Sequence, residues 1–315
     1  MPWQKTHDPY RRWLAEIMLQ QTQVTAVIPY FQKFVERFPT VEHLASASED
    51  EVMANWAGLG YYSRARNLHA CAKAVVEKFS GRFPLELNKL LELPGIGRST
   101  AGAIISAVTD KPVPMLDGNV KRVFARFFKI NEVYGTAGFE KVLWDLAENN
   151  LPQEEGRAFS QGLMDLGSMI CTRSNPKCLL CPVSELCRAG KEGCPAEYPI
   201  KAKKKAKPVR HTFWYVCTRG EAVWLEKRTG KGVWKHLWSF PEGDDLTHKG
   251  TPLPTVFHEF THYKLTASPI HVLDAELNES DHGGWFSRED IEQIGIPSPV
   301  KKLLLEEVFG KILLA

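Results

Sequence analysis

Apolar residues over the first 190 positions recur at helical spacing, interrupted by turns that carry Gly or Pro. Asp8 and Pro9 form an N-cap and first-turn pair, and Phe38-Pro39 closes the unit they open, which predicts two helices over 8–38. The same punctuation predicts helices over 40–57, 63–79, 85–93, 99–108, 119–128, 139–149 and 155–169. No stretch of this region alternates apolar with polar, so it reads as an all-α module. The pattern then changes. Residues 201–210 read KAKKKAKPVR, six basic residues in ten with no apolar periodicity, as expected of an exposed linker. Period-two runs follow over 211–218, 221–227, 255–261, 263–267 and 270–277, with helices predicted over 288–294 and 300–314. The expected organisation is a mainly α domain over 1–195, a basic linker over 196–210 and a small α+β domain over 211–315, without internal repeats.

Composition agrees with this division. A chain of 315 residues, 43% hydrophobic and 24% charged, is long enough for two domains, each with its own core. Forty basic against 37 acidic residues leave a net charge of only +3, so any nucleic-acid surface must be local. No run is apolar and long enough for a membrane span, and no secretory segment opens the chain, so a cytoplasmic protein without membrane association is expected. Of seven cysteines, Cys71 and Cys217 stand alone, while Cys171, Cys178, Cys181, Cys187 and Cys194 crowd together. Such a cluster points to metal in a reducing compartment rather than to disulfides.

Cys171, Cys178, Cys181 and Cys187 have the spacing C-x6-C-x2-C-x5-C. Four thiolates this close can surround one iron–sulfur cluster or one zinc ion. Zinc sites of four cysteines usually come as two short knuckles. Only one such pair exists here, which favours a compact iron–sulfur cubane. Cys194 is read as structural.

Between two predicted helices lies Leu93-Pro94-Gly95-Ile96-Gly97, followed by Arg98 and Ser99. Gly95 and Gly97 permit a tight turn with outward N–H groups at a helix N-terminus, which suits a phosphate oxygen. A lone GxG would be an ordinary turn. The longer LPGIGRSTAGAI reads as a helix-hairpin-helix over about 85–109, which grips a DNA backbone without reading its sequence.

Two carboxylates are candidates for chemistry. Glu16 sits in WLAEIMLQQTQV with apolar neighbours on both sides, the setting in which a carboxyl holds its proton near neutral pH. The bland alternative is a surface pair with Arg12, four residues earlier. The amide-rich Gln20-Gln21-Thr22-Gln23 beside it can address base edges. Asp117, in MLDGNVKRVF, is placed to cap the next helix through Asn119 or Val120. A capped Asp stays ionised, as a group stabilising positive charge must be.

LPGIGRSTAGAI, the Asp of LDGNVKRV and the four-cysteine cluster resemble the endonuclease III, or helix-hairpin-helix, superfamily of DNA glycosylases. MLQQTQV, GLGYYSRARNLH and the C-terminal domain are similar to the MutY family of adenine-specific mismatch glycosylases. The resemblance covers essentially the whole chain. It implies excision of adenine opposite 8-oxoguanine or guanine, a [4Fe–4S] cluster on the four cysteines, and base flipping. It also implies that the partner is double-stranded DNA, and that the protein is a monomer associated with the bacterial nucleoid. By resemblance Glu16 protonates N7 of adenine, Asp117 shields the sugar cation, and Asn119 orients the pair. Gln21 and Tyr61 match wedge positions, Thr22 and Leu59 lie near the opposing lesion, and Trp3, Gln4 and Gln161 line the adenine pocket. A core aromatic is an equally good reading of Tyr61 from its sequence context alone.

Superfamily members that also cut the strand carry a lysine where this chain has Ser99, so base removal by water is expected. The C-terminal domain resembles the Nudix fold but lacks the G-x5-E-x7-R-E-x-x-E-E helix that holds magnesium, so a binding role is expected. Phe260-Thr261-His262 falls where the family has its lesion-sensing Phe-Ser-His loop, although a solvent-facing strand histidine is the plain reading of His262. The PWQ segment opens the chain at Met1, which places Trp3 at an end expected to fray. The rival functions are a bifunctional glycosylase and lyase, a non-catalytic iron–sulfur DNA-binding protein, and a Nudix hydrolase.

Overall fold

The computed structural model describes all residues except Lys204, Lys205, Lys231, Thr247, His248, Asp274, Glu276 and 313–315, and of Ile312 only the backbone. The chain opens on a 3-10 turn, Pro2–Lys5, followed by α1 (Pro9–Leu19), α2 (Val24–Arg37), α3 (Val41–Ser46) and α4 (Glu49–Trp56). Next come α5 (Ser63–Phe79), α6 (Leu87–Leu91), α7 (Arg98–Thr109), α8 (Gly118–Phe127) and α9 (Ala137–Asn149). The remaining helices are α10 (Gly156–Asp165), the short α11 (Arg188–Lys191) and, near the C-terminus, α12 (Ser298–Leu303). The single helix predicted over 40–57 is two, because Ser48 caps a fresh start: its Oγ accepts from the Glu51 N–H at 3.2 Å. That predicted over 155–169 loses α-geometry at Leu166–Ile170, which form a wider π-helical turn.

The chain divides into two compact units, Met1–Val24 with Ala74–Lys204, and Thr25–Lys73 with Lys205–Ala315. This division differs from the one that composition suggests, since most of α2 and all of α3 and α4 join the C-terminal segment. In the first unit α7 packs against α1, α6 and α10, and α8 against α9, α10 and α11. Val120, Val123 and Phe124 of α8 close over Phe139 and Leu143 of α9, while the Trp13 and Phe83 rings meet at 4.9 Å.

The second unit is built on a mixed sheet of β1 (Val209–Arg219), β2 (Ala222–Lys227), β3 (Trp238–Ser239), β4 (Glu242–Gly243), β5 (Thr251–Pro252), β6 (Val256–Glu259), β7 (Lys264–Leu273) and β8 (Gly283–Phe286). Its main order is β3-β2-β1-β7-β5, with β4 on β1, β6 on β7 and β8 on β2. The long central pair, β1 with β7, is parallel. Alternation along β1 sends Trp214 and Val216 into one core with Ile296, Val300 and Leu304, and Tyr215 and Cys217 into a smaller one with Trp224 and Ile270. The runs predicted over 263–267 and 270–277 are a single strand: Pro269 lacks a donor, yet its carbonyl still accepts from Leu253 at 2.9 Å. The C-terminal helix predicted over 300–314 begins at Ser298 and widens to π-helical turns over Leu304–Ile312, its last two residues lying outside those described. The helix predicted over 288–294 shrinks to a 3-10 turn, Asp290–Glu292.

Polar contacts explain why the early helices join this unit. Asp50, in the first turn of α4, accepts from Lys227 Nζ at 2.9 Å and Trp238 Nε1 at 3.2 Å. Glu49 meets His236 at 2.6 Å, and the Tyr62 hydroxyl donates to the Ile296 carbonyl at 3.2 Å. Among the described residues no helix is long and apolar enough to cross a membrane.

Candidate active site

Asp8 starts α1 by accepting from the Tyr10 N–H at 3.0 Å, with Pro9 in the first turn. Trp13, Leu14, Ile17 and Met18 are buried, which fixes the rotation of α1 and turns the Glu16 side chain into a cavity of about 410 Å³. Asp117 caps α8, its Oδ1 accepting from Val120 N–H at 2.7 Å and its Oδ2 from Asn119 Nδ2 at 3.1 Å. Both carboxyl groups line the same cavity, although a hundred residues separate them in the chain. Burial lifts the Glu16 carboxyl from 4.5 to about 7; the Arg12 charge opposes that rise and the Asp117 carboxylate adds to it. Glu16 is therefore no surface partner of Arg12, which is itself only 4% exposed.

The cavity also gathers Trp3, Gln4, Gln21, Thr22, Ser99, Asn119 and Gln161. Trp3 is not frayed. Its ring is 3% exposed, and the turn beneath it is closed by Gln4 N–H donating to the Met1 carbonyl at 3.1 Å. Gln21 leaves α1 in the left-handed region at φ 57°, and Gln161 Nε2 donates to Asp165 Oδ1 at 2.9 Å. Ser99 Oγ accepts from the Leu116 N–H at 3.0 Å, which ties the start of α7 to the segment leading into Asp117. Gln20, at the end of α1, donates to Thr100 Oγ1 at 3.2 Å.

The hairpin lies between α6 and α7. Gly95 needs the left-handed region, at φ 78°. Gly97 does not, contrary to its expected role in the turn: its φ is −94°, and a Cβ there would meet no protein atom within 4 Å. Its smoothness leaves room outside the molecule instead. Arg98 stacks on Trp144 at 4.0 Å and pairs with Glu148, so it braces α7 against α9.

Arginines of α8 support the site from behind, and sequence reasoning missed them. Arg122 donates to Asn119 Oδ1 at 2.8 Å, to the Gly167 carbonyl at 2.5 Å and to the Cys171 carbonyl at 2.8 Å. Arg126, 2% exposed, donates to the carbonyls of Thr172 at 2.7 Å, Arg173 at 3.2 Å and Tyr198 at 3.1 Å, and to Cys171 Sγ at 3.2 Å. A hydrogen-bonded path thus runs from the first cysteine of the loop to Asp117. The available signal was two arginines four apart in KRVFARF, on a helix whose other face is core. Gly167 was missed too: a Cβ there would fall 2.5 Å from the Asn119 Cβ.

Cys171, Cys178, Cys181 and Cys187 are free thiols, each partly buried. Burial raises the Cys187 thiol, a backbone hydrogen bond at Gly190 opposes that rise, and charge on Cys171, Cys181 and Cys178 adds to it. Among the described residues no three His, Cys, Asp or Glu groups stand close enough to share one ion. Four partly buried thiols in one short loop are a donor set that fits an iron–sulfur cluster, which these cysteines would hold.

Leu59, Tyr61 and the 260–262 loop belong to the second unit. Tyr61 is not a core aromatic, being 48% exposed at φ 50°, whereas Leu59 is buried. Arg64 clamps this turn, donating to the carbonyls of Leu59 at 3.3 Å and Gly60 at 3.2 Å, with its guanidinium 5.4 Å from the Tyr61 ring. Thr261 and His262 are exposed at the tip of the β6–β7 turn.

Hairpin, paired carboxyl groups and cysteine loop together define a helix-hairpin-helix repair glycosylase, and comparison with known proteins agrees. The HhH-GPD superfamily of base excision DNA repair proteins matches residues 14–149, the iron–sulfur binding domain of endonuclease III matches 171–187, and a NUDIX domain matches 211–306. The adenine DNA glycosylase of Buchnera aphidicola subsp. Schizaphis graminum (strain Sg) is 38% identical over 98% of this chain and 94% of its own. That of Rattus norvegicus is 31% identical over 96% of this chain and 74% of its own. A thermostable thymine-DNA glycosylase structure superposes with a TM-score of 0.55 at 31% identity, covering 61% of this chain and 88% of that one. The chain belongs to the adenine DNA glycosylases. It is accordingly an enzyme of base excision repair that acts on N-glycosyl bonds and carries a [4Fe–4S] cluster.

Proposed function

We propose that the enzyme hydrolyses adenine mispaired with 8-oxoguanine, or with guanine, in duplex DNA, without cutting the strand. The observation that carries this reading is the placement of Glu16 and Asp117 in one cavity, where burial pushes the Glu16 carboxyl up to about 7. At neutral pH Glu16 has a proton to give. It protonates adenine N7, the C1′–N9 bond breaks with its electrons going to the base, and an oxocarbenium-like sugar remains. Asp117, held by Val120 and Asn119, faces that cation with a carboxylate oxygen. Water adds to C1′ and yields its proton to Glu16, now a base.

Extruding the adenine costs a few kcal/mol, which Gln21 and Tyr61 offset as wedges, with Thr22 and Leu59 beside the opposing base. Trp3, Gln4 and Gln161 line the base pocket. Gly95 and Gly97 let the hairpin approach a phosphate, and the basic linker serves as a solvated hinge. The functional boundaries are taken at 195 and 210, and the protein works as a monomer on nucleoid DNA. The cluster braces the loop that follows α10, and no step above passes through it. Ser99 offers a hydroxyl where a Schiff base would need an amine, so the abasic product is released intact. In the Nudix-like part Glu242–Gly243 lead into further strands, and the sequence after them lacks the R-E-x-x-E-E run that would hold magnesium, which leaves that part a binding role.

An end-labelled duplex with adenine opposite 8-oxoguanine tests the proposal. Cleavage should appear only after alkali and vanish in Glu16→Gln and Asp117→Asn. Direct cleavage, or an adduct trapped by borohydride at lyase levels, would refute the monofunctional mechanism.

A further inference from the structure

The Phe260-Thr261-His262 turn is short. Glu259 and Lys264 pair across the β6–β7 ladder, and Phe260 N–H donates to the Tyr263 carbonyl at 2.9 Å. Thr261 and His262 are exposed, the His262 ring meeting Tyr263 edge-on at 5.0 Å, whereas Phe260 is half-buried. Its ring is caged. Trp234 meets it edge-on at 4.8 Å, His258 at 4.6 Å, and Tyr263 lies at 4.7 Å. Trp234 and His258 also touch one another at 5.4 Å, and Trp234 reaches inward to the fully buried Trp214 of β1 at 6.4 Å. A continuous run of rings therefore joins the sheet core to the turn.

The segment that supplies Trp234 is strained. Trp234 has φ 58° and His236 φ 65°, a region bulky side chains seldom enter. Backbone bonds hold it there: His236 N–H to the Arg228 carbonyl at 2.7 Å, Arg228 N–H to Leu237 at 3.0 Å, and Leu237 N–H to Trp234 at 3.0 Å. Such strain persists where surrounding structure over-determines it, and it tends to accompany a side chain whose exact placement is used.

We propose that Trp234 and His258 are positioning residues for lesion discrimination. They touch no substrate. By seating Phe260 they fix the height and direction at which Thr261 and His262 meet the base opposite the adenine. This rests on the reading of that turn as the lesion-sensing element.

Edge-on ring pairs contribute ~0.5–1.5 kcal/mol each, so a released Phe260 should let the turn wander at modest cost to the fold. The readout is the preference of the cluster-loaded enzyme for adenine opposite 8-oxoguanine over adenine opposite guanine, measured as the ratio of single-turnover rates at limiting enzyme. In His258→Leu and Trp234→Leu that ratio should fall about tenfold while the rate opposite guanine holds, equivalent to ~1.4 kcal/mol. Trp234→Phe, which keeps a ring, should restore most of it. His258 is only half-buried on an edge strand, so His258→Leu tests the proposal even if Trp234→Leu fails to fold. A parental ratio in folded His258→Leu overturns it, as does an equal fall with both substrates. His262→Ala separates the two levels. If it lowers the ratio and His258→Leu does not, only the seating role is wrong; if it leaves the ratio unchanged, the lesion-sensing reading is wrong and the seating role falls with it.

Discussion

Replacing Glu16 by Gln should abolish adenine release and, above neutral pH, make the protein more stable. The carboxyl titrates near 7 when folded and near 4.5 when solvated. The folded state thus holds this proton the more tightly. Below pH 4.5 both states are protonated and the group has no effect on stability. Between 4.5 and 7 the unfolded chain releases its proton and the folded one does not, so stability falls with rising pH, levelling off once the folded carboxyl ionises as well. The interval from 4.5 to about 7 corresponds to ~3 kcal/mol. Gln is neutral throughout, nearly isosteric, and escapes this loss. For a folding unit of this size the difference is on the order of 5–10 °C in melting temperature. Thermal melts of cluster-loaded parent and Glu16→Gln should nearly coincide near pH 5 and separate near pH 8, with the variant higher. A gap that is the same at both pH values, or reversed at pH 8, would refute the argument that this carboxyl is held protonated by burial.

The same titration predicts that the single-turnover rate of base release declines on the alkaline side of about pH 7, and a rate flat through that range would contradict an acid at position 16. Gly167→Ala drives a Cβ to 2.5 Å from the Asn119 Cβ, an overpacking of ~1–3 kcal/mol that shifts the partner of Asp117. Base release should slow with duplex affinity kept, and an unchanged rate would show that Asn119 need not hold its place. Arg126→Leu strips the carbonyls of Thr172, Arg173 and Tyr198 of a buried donor, at ~1–3 kcal/mol each. Iron content and visible absorbance should fall, and full iron loading would count against Arg126 as the brace of the cysteine loop.

Helices were legible where punctuation is chemical. Asp8-Pro9 and Asp117 cap as their types demand, and α1, α5 and α7 follow the apolar spacing closely. The two-residue strands β3, β4 and β5 could not be read, because alternation needs more than one repeat to register. Ser268-Pro269 looked like a break in the pattern, yet β7 runs through it on its pairing with β1. The grouping of α3 and α4 with the C-terminal segment rests on contacts such as Asp50 with Lys227, nearly 180 residues apart, which no local pattern records. In the site, residue types and spacing singled out both carboxylates, the hairpin and the cysteines. What stayed hidden was placement: the depth of Glu16, the buried Trp3, and the path from Arg122 to Asn119 exist only once distant segments pack.

Strain separates residues that shape the backbone from residues kept for their side chains. Among the described residues Ser80, Asp110 and Lys129 take positive φ just past α5, α7 and α8, where helices commonly exit through the left-handed region. Asp110 is repaid locally, its carboxylate accepting from the Arg157 N–H at 2.9 Å. Gln21 occupies the same kind of exit after α1, a place where glycine would relieve the cost, and it borders the cavity instead. Tyr61 and Trp234 end no helix. Each is a bulky residue in a region worth about 1 kcal/mol or more against it, and each is gripped from beneath, Tyr61 by Arg64 and Trp234 by the bonds that close 228–237. A fold under no demand at these points would place glycine in both turns. The two rings differ in what they meet: Tyr61 is 48% exposed with the Arg64 guanidinium over it, whereas Trp234 packs inward on Trp214 and against the Phe260 ring.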